Sequence, residues 1–456
     1  MKKLLKGGTV INAHGRCAAD ILIDGEQIAA IAPQLSCPDA EIVEVGGKLL
    51  FPGFIDAHTH FDLDVCNTTT ADNFYTGGRS ALRGGTTMVI DFACPNKGES
   101  LQYGLDLWHK KAAGRTACDY SFHMTIDDWN GEIIAELPKM FEQGISSFKM
   151  YMTYPAMMIG DEKMFCALRK MKELGGIVGV HCENAGVIDA LIAEKKQAGA
   201  LSPASHPQCR PSILEAEAIS RLLKMAQVAD VPVVIVHLTC EDGLREIEAA
   251  RARGQKVFAE TCPHYLLLDD SLYSPPDFAG AKYVCAPPLR KKSDIEALWM
   301  AVENGEIQTV STDHCSFTLA QKDAGRDDFT KIPGGMPGVE TRGVLLYTYG
   351  VAAGRISAER MVELLSEAPA KLYGAFPRKG QLSVGADADI VVYDPSGESV
   401  ITAADQLANV DYAPYEGYRI AGHIAQVWLR GEKAVENGVV LNDCGGIFIP
   451  RGKSRL

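Results

Sequence analysis

The chain lacks three features that would classify it quickly: closely paired cysteines, an excess of basic residues and long apolar runs. Its thirteen cysteines form no Cys-x-x-Cys pair, which argues against a zinc ribbon or a disulfide framework and favours a reducing compartment. With 45 Lys and Arg against 58 Asp and Glu, the formal net charge is -13, so we expect no nucleic-acid partner. No apolar run reaches the roughly 20 residues that cross a bilayer, and Lys6 and Gly7 interrupt the first one before a signal peptide can form. We therefore expect a cytoplasmic protein with no membrane partner.

The apolar content is sufficient for a large core, because 46% of the 456 residues are hydrophobic. Residues 1–50 alternate short β-rich pieces with Gly, Asn and Asp turns, which is typical of a small β-domain. Beyond them, strand-like apolar runs are mostly separated by helix-length segments, and these runs cover residues 50–56, 86–92, 119–126, 146–152, 176–181, 231–238, 256–261 and 308–312. Eight successive β-then-α units predict an α/β fold with a closed (β/α)8 TIM-type barrel.

The two chain ends resemble each other in composition, since β-rich pieces return near residues 382–393 and 424–429. We predict that residues 1–50 and 376–441 together form one small β-sandwich domain outside the barrel. Residues 51–375 are predicted to form the barrel itself. A loose C-terminal tail is expected from residue 442 to residue 456.

The pair His58 and His60 closes the first barrel run. Residues i and i+2 on a strand point to the same face, so these two imidazoles can converge on one metal ion. Other chemically active residues end or nearly end later runs, and they are Lys149, His181, His237 and Asp313.

The position of these six residues carries more weight than their type. A lone histidine is more often a hydrogen-bonded structural residue than a metal ligand. A parallel barrel, however, gathers the carboxyl ends of its strands at one rim, where enzymes of this architecture hold their catalytic groups. Six candidates at the ends of five predicted strands therefore indicate one metal-dependent active site.

Lys149 has three interpretations, because an ammonium inside an apolar barrel is costly and repels metal ions. It can pack its stem and extend its charge to water or to an acid. It can act as an amine nucleophile through a Schiff base. It can also take up carbon dioxide as a carbamate, which would bridge two metal ions as a carboxylate does. The carbamate accounts both for the charge and for the ligand count.

The chain resembles the cyclic amidohydrolases, and within them the dihydropyrimidinase and hydantoinase family, over nearly its whole length. The matching motifs lie at residues 52–60, 84–87, 147–149 followed by Tyr154, 181–184, 237–238, 260–263, 287–290, 312–315 and 335–340. In that family, a carboxylated lysine and a hydroxide bridge two zinc ions. The resemblance implies two divalent ions, most simply Zn²⁺. One ion would be held by His58, His60 and Asp313, and the other by His181 and His237. Lys149, as N6-carboxylysine with a CO2-derived carbamate, would bind both ions.

The resemblance also implies roles around the ions. Asp313 would act as general acid and base, and Tyr154 would donate a hydrogen bond to the developing oxyanion. Ala286 and Gly334 stand where relatives commonly carry Ser and Asn, and at these positions the family contacts the ring amide largely through backbone groups. We therefore expect ring binding at Ala286 and Gly334 to persist.

The expected activity is hydrolysis of a cyclic amide (EC 3.5.2), in which a metal-bridging hydroxide opens dihydropyrimidines or 5-substituted hydantoins to N-carbamoyl amino acids. The partner is a small cyclic amide, and the resemblance implies a homotetramer. One alternative is an allantoinase-like or dihydroorotase-like enzyme. Another is a non-catalytic interaction protein of the same fold, although that class would be expected to lack the histidines that this chain carries.

Overall fold

The computed structural model describes residues 2–276 and 278–456. The strands of this part of the chain are β1 Lys2–Asn12, β2 Gly15–Asp24, β3 Gln27–Ala32, β4 Glu41–Glu44, β5 Leu49–Pro52, β6 Phe54–Thr59, β7 Asp64–Val65, β8 Thr68–Thr69, β9 Thr86–Ala93, β10 Asp119–Thr125, β11 Ser147–Tyr151, β12 Ile177–His181, β13 Val233–Ile235, β14 Val257–Thr261, β15 Thr309–Val310, β16 Ile390–Val400, β17 Arg419–Leu429, β18 Glu432–Glu436 and β19 Val439–Val440.

The α-helices lie mainly between the strands of the central sheet. They are α1 Phe74–Arg83, α2 Leu101–Ala112, α3 Gly131–Glu142, α4 Asp161–Leu174, α5 Ala185–Gln197, α6 Ser205–Cys209, α7 Ser212–Ala229, α8 Glu241–Ala252, α9 Pro263–Leu267, α10 Lys292–Glu303, α11 Leu319–Lys322, α12 Arg342–Leu346, α13 Ala358–Val362 and α14 Ala368–Leu372. Across the described residues, none of the helices combines the length and the apolar character that a membrane span needs.

The central sheet is the predicted parallel barrel. Its eight strands pair in the order β15, β14, β13, β12, β11, β10, β9, β6. The two ends of this sheet meet just beyond β6 and β15, where the His60 N–H donates to the His314 carbonyl at 2.8 Å. Strands such as β9 and β12 are buried along their whole length, as expected for parallel strands covered on both faces. The carboxyl ends of all eight strands therefore share one rim.

The second sheet combines both ends of the chain, as predicted. Its nine strands are β1 to β5 and β16 to β19, and β5 links the two groups by pairing with β1 on one side and β16 on the other. This mixed sheet has a small core of its own, which includes Leu5, Ile21, Leu50, Ile390 and Trp428. The limits predicted for the separate domains stay predictions, because strand pairing assigns residues to sheets and does not delimit domains.

The first predicted barrel strand, 50–56, is wrong in its first part. Leu49–Pro52 belongs to the mixed sheet, and the barrel begins only with Phe54–Thr59. Gly53 separates the two, and a Cβ atom there would lie 2.1 Å from Oγ1 of Thr87. Both sheets bury apolar residues, so an apolar run alone does not reveal that the chain changes partner in its middle.

The expectation of a loose C-terminal tail is also wrong. The tail runs beside the first half of β10, where the Tyr120 N–H donates to the Ile447 carbonyl and the Ile449 N–H donates to the Tyr120 carbonyl. Strand β11 pairs with β10 only from Met124 onward, so the tail supplies partners that the start of β10 would otherwise lack. The buried Arg451 guanidinium extends this contact with hydrogen bonds to other barrel residues.

The barrel and the mixed sheet are joined by a buried cluster of charges around Lys379. Its ammonium donates to Asp119 and to Asp389 at 2.6 Å each, and it lies 3.0 Å from Asp387. Asp119 begins β10, whereas Asp389 immediately precedes β16. These three carboxylates are close enough to bind a cation, and the lysine ammonium supplies that charge.

Replacing Lys379 by Met should strongly destabilise the fold, because three buried carboxylates would lose the cation they share. Asp119 and Asp387 would keep their contacts with Arg430 and Arg378, whereas Lys379 is the cation that pairs with Asp389. Breaking a buried ion pair from one side lowers the free energy of unfolding by about 3–5 kcal/mol. Chemical denaturation followed by circular dichroism measures the change. The matched control is Lys170→Met, which removes a surface pair with Glu173 and should change the free energy by less than about 1 kcal/mol. Equal effects in the two variants would contradict a role for Lys379 in joining the sheets.

Candidate active site

The six side chains singled out in the sequence line one cavity of about 390 Å³ at the carboxyl rim of the barrel. His58 lies in β6, Lys149 in β11 and His181 at the end of β12, while the others follow their strands by one to three residues. His237 and Asp313 have left-handed backbone conformations, with φ of +40° and +49°. The chain therefore turns sharply at two of the six residues, a form of local strain that is common at functional sites.

The tightest group consists of His58, His60 and Asp313. The Nε2 atoms of the two histidines lie 3.2 and 3.1 Å from the same oxygen, Oδ1 of Asp313. Burial by itself would raise the pKa of Asp313, but His58 and His60 outweigh it and hold that pKa well below its usual range. Two nitrogen atoms and one carboxylate oxygen thus converge as a cluster that could hold one cation.

His181 and His237 form a second group beside the first. Their ring centroids are 4.6 Å apart, and the His237 ring lies 5.4 Å from that of His58. Burial lowers the pKa of His237 well below its usual value, with His181 and Lys149 acting in the same direction. Nδ1 of His237 is buried, and no hydrogen-bond partner for it occurs among the described residues. A neutral, incompletely bonded imidazole is suited to ligate a metal ion.

Lys149 lines the same cavity as the two groups and is almost fully buried. Its Nζ is 5.1 Å from the Phe92 ring centroid and 5.0 Å from that of Tyr151. Burial lowers the pKa of Lys149 to about 8, although the nearby Asp313 and Glu260 carboxylates oppose the shift. About a tenth of this amine is therefore uncharged at pH 7, a much larger fraction than in a solvent-exposed lysine.

Two carboxylates behind the histidines were not singled out from the sequence. Glu260 lies 2.6 Å from Nδ1 of His58 and accepts a hydrogen bond from Ser311 at 2.9 Å. Glu183 lies 2.7 Å from Nε2 of His181 and accepts a hydrogen bond from Arg210 at 2.5 Å. Each acid occupies one nitrogen of its imidazole and leaves the other nitrogen available to a ligand. Their positions at or just after strand ends could have indicated them.

Tyr154, for which the resemblance implied a role as oxyanion donor, also lines the cavity. Strand β11 ends at Tyr151, and Tyr154 has a φ of +67°, so the loop turns before the phenol would be carried to the opposite face. Its ring centroid lies 5.1 Å from that of His181. Burial raises the pKa of the phenol well above its usual value, so Tyr154 keeps its proton and can donate a hydrogen bond.

Ala286 and Gly334 lie on two neighbouring segments of the cavity wall. The segments are connected by a hydrogen bond from the Gly335 N–H to the Val284 carbonyl at 2.9 Å. A Cβ atom on Gly334 would have its nearest neighbour 3.9 Å away, at Cys285, so sterics do not demand glycine there. Much of the remaining wall is apolar and includes Leu63, Val65, Tyr151, Pro155, Met157, Ile192, Phe329 and Ile332.

Comparison with known proteins identifies the family. The sequence pattern described as the Amidohydrolase family matches residues 49–434. The chain is 42% identical to a D-hydantoinase of Streptomyces coelicolor over 458 residues, which cover 99% of this chain and 98% of that protein. It is also 42% identical to a D-phenylhydantoinase of Escherichia coli over 460 residues, again covering 99% and 98%.

The fold comparison agrees with the sequence. The crystal structure of dihydropyrimidinase from Brevibacillus agri superposes with a TM-score of 0.98 at 42% identity, covering 100% of this chain and 99% of that one. The barrel, its rim cluster and these similarities define an amidohydrolase. Within that class, the chain belongs to the dihydropyrimidinase/hydantoinase family of cyclic amide hydrolases.

Replacing Glu260 by Gln should weaken the binding of a divalent ion at the His58 cluster, because an amide no longer favours the same His58 tautomer. Changes to carboxylates that orient metal-binding histidines typically reduce metal affinity by about 10- to 100-fold. Metal retained after dialysis against graded chelator concentrations measures this loss. The control variant Glu303→Gln changes an exposed acid that pairs with Arg355 and should retain metal as the parent does. Equal retention in both variants would argue against the role of Glu260.

Proposed function

We propose that this cyclic amide hydrolase opens the rings of dihydropyrimidines or 5-substituted hydantoins to N-carbamoyl amino acids, with two divalent metal ions. The observation that carries the proposal is the convergence of six candidate ligand side chains on one cavity, with two imidazoles within 3.2 Å of a single Asp313 oxygen. The names of similar proteins, which include D-hydantoinase and dihydropyrimidinase, support the same substrate class.

The proposed ligand sets follow the two groups of side chains, with His58, His60 and Asp313 for one ion, His181 and His237 for the other, and Lys149 for both. Nitrogen and oxygen donors of this kind suit Zn²⁺, which is the metal we propose. When bound, such a pair of ions lowers the pKa of water and polarises a carbonyl group. The buried and incompletely bonded His237 supports this assignment.

Lys149 is proposed to carry a carbamate as N6-carboxylysine. The uncharged amine attacks the carbon of CO2, a nitrogen–carbon bond forms as one carbon–oxygen π bond opens, and the nitrogen releases a proton. The product is an anion that can bridge two cations, whereas the unmodified ammonium would repel them. The lowered pKa of Lys149, about 8, supports the reaction because it increases the fraction of free amine. A bridging anion also fits the burial of Lys149 among four histidines better than a Schiff base does.

Other residues are proposed to act on the ring amide directly. Asp313 accepts a proton as water adds to the carbonyl and passes it to the departing ring nitrogen. Tyr154, which keeps its phenolic proton, donates to the oxygen that becomes negative. Backbone groups of Ala286 and Gly334 bind the ring amide, and the room beside Gly334 supports access for the ring.

The cavity wall supports uncharged ring substituents. Side chains such as Leu63, Tyr151 and Met157 give the wall an apolar surface, which favours alkyl or aromatic groups at the substituted ring carbon. Met157 lies in the loop after Tyr154, and the flexible thioether of methionine can adapt to substituents of different shape.

We also propose a cytoplasmic homotetramer. All thirteen cysteines are unpaired, which supports a reducing compartment. Apolar side chains of Val187, Ile213 and Val228 are exposed on α5 and α7, and they offer surface for subunit contacts.

A panel of ring substrates tests the proposed activity. Protein supplied with zinc and bicarbonate should hydrolyse hydantoin, phenylhydantoin and dihydrouracil with higher kcat/KM than allantoin or dihydroorotate, because the wall favours uncharged and apolar substituents. Product formation is followed by chromatography of the N-carbamoyl amino acids. A higher kcat/KM for dihydroorotate or allantoin would favour the dihydroorotase-like or allantoinase-like alternative. An absence of turnover with all five substrates would contradict the proposed function.

Lys149→Ala tests the carbamate. The variant should lose bridging-metal retention and nearly all activity, because it has no amine to carry the proposed bridging anion. A short-chain carboxylic acid such as propionate should restore part of both, and metal analysis and turnover measure the rescue. Lys163→Ala, an exposed lysine on α4, serves as the control and should behave as the parent. Normal activity in Lys149→Ala would remove the proposed role.

A further inference from the structure

Lys322 is a fully buried lysine behind the cavity wall, outside the six residues discussed above. Its Nζ donates hydrogen bonds to three backbone carbonyls, at 3.2 Å to Val284, 2.9 Å to Pro333 and 2.9 Å to Gly335. A lysine ammonium has three donors, so every one of them is used.

The three carbonyls come from the two wall segments that present Ala286 and Gly334 to the cavity. The Val284 carbonyl also accepts the hydrogen bond from the Gly335 N–H that connects these segments directly. Lys322 therefore contacts both segments from behind at the place where they already touch. Any change in their separation would break at least one of its three hydrogen bonds.

The helix that carries Lys322 is itself attached to a third part of the wall. Lys322 ends α11, and the preceding Gln321 donates to Thr68 Oγ1 and to the Thr69 carbonyl at 2.8 Å each. Thr68 and Thr69 form β8, whose hairpin with β7 lines the cavity through Val65 and Cys66. Helix α11 thus connects the two segments that present Ala286 and Gly334 with the β7–β8 hairpin.

Stability alone does not require a lysine at this position. Burial lowers the pKa of Lys322 to about 8, which shows that the surroundings disfavour the charge. A methionine of similar length would fill much of the same space without desolvating an ammonium, although it would leave the Pro333 and Gly335 carbonyls without this donor. The feature that methionine would lose is the set of three hydrogen bonds to the wall.

We propose that Lys322 is a positioning residue that holds the backbone segments of Ala286 and Gly334 at the separation that binds the ring amide. This inference rests on the proposed function, because it assumes that the ring is bound by these segments. Lys322 acts from behind the wall and has no contact with the proposed metal ligands in its hydrogen bonds, so its effect is on substrate binding.

Lys322→Met tests the inference through the division of its effect between KM and kcat. The KM for hydantoin should rise about 10- to 100-fold, because small displacements of positioning groups have effects of this size. The kcat and the metal content should stay within about threefold of the parent values, since the six metal-site side chains are unchanged. Lys322→Gln, which keeps two donors, should have an intermediate KM and carries the test if the methionine variant does not fold.

The control is Lys292→Met, which changes a lysine whose side chain is 86% exposed at the start of α10 and should leave KM unchanged. A KM equal to that of the parent in the folded Lys322 variants would overturn the inference, even if their melting temperatures fall. A loss of kcat at constant KM would overturn it as well. Failure of the proposed function is distinguishable, because in that case the parent protein itself would open no ring amide.

Discussion

Four imidazoles and a lysine amine are buried around one Asp313 carboxylate at the carboxyl rim of the barrel. Protonation of every nitrogen would concentrate positive charge in a buried space, and burial accordingly lowers the pKa values of Lys149 and His237. Leaving the nitrogens neutral and unpartnered would also be destabilising. Bound divalent cations would satisfy these nitrogens, so the rim has the donor chemistry of a candidate metal centre.

The surrounding structure positions the candidate metal ligands on strand ends and the candidate substrate-binding groups on loops. The histidines lie at or near the ends of barrel strands, and the Glu183 and Glu260 carboxylates hold two of them in one orientation. The organic substrate, in contrast, would meet loops that come from distant parts of the chain. Lys322 and Gln321 connect those loops through hydrogen bonds to backbone and hydroxyl groups.

The sequence was sufficient to predict the barrel and the position of its rim residues, because both follow from local patterns. The His58 and His60 spacing is a strand signal, and the later candidates close apolar runs of their own. Tyr154 faces the cavity because the strand ends at Tyr151 and Tyr154 itself has a left-handed backbone conformation, and neither feature is visible in the apolar pattern of the strand. The hydrogen-bonded partners Glu183 and Glu260 were less visible, since an acid near a strand end has many other uses.

Long-range pairing explains the predictions that failed. The apolar run at 50–56 divides between two sheets because Leu49–Pro52 finds partners in β1 and β16, which lie far away in the sequence. The C-terminal tail is ordered by backbone groups of β10 and by the contacts of Arg451, none of which leaves a pattern in the tail itself. The apolar composition of a segment predicts that the segment is buried. It does not predict which strand the segment pairs with, because that depends on the assembled fold.

The most direct measurement is anomalous scattering at the zinc absorption edge from crystals of protein prepared with zinc and bicarbonate. The account predicts two peaks, one beside His58, His60 and Asp313 and the other beside His181 and His237, with extra density continuous with Nζ of Lys149 between them. An absence of peaks at this rim, or a fully loaded site with an unmodified Lys149 side chain, would contradict it.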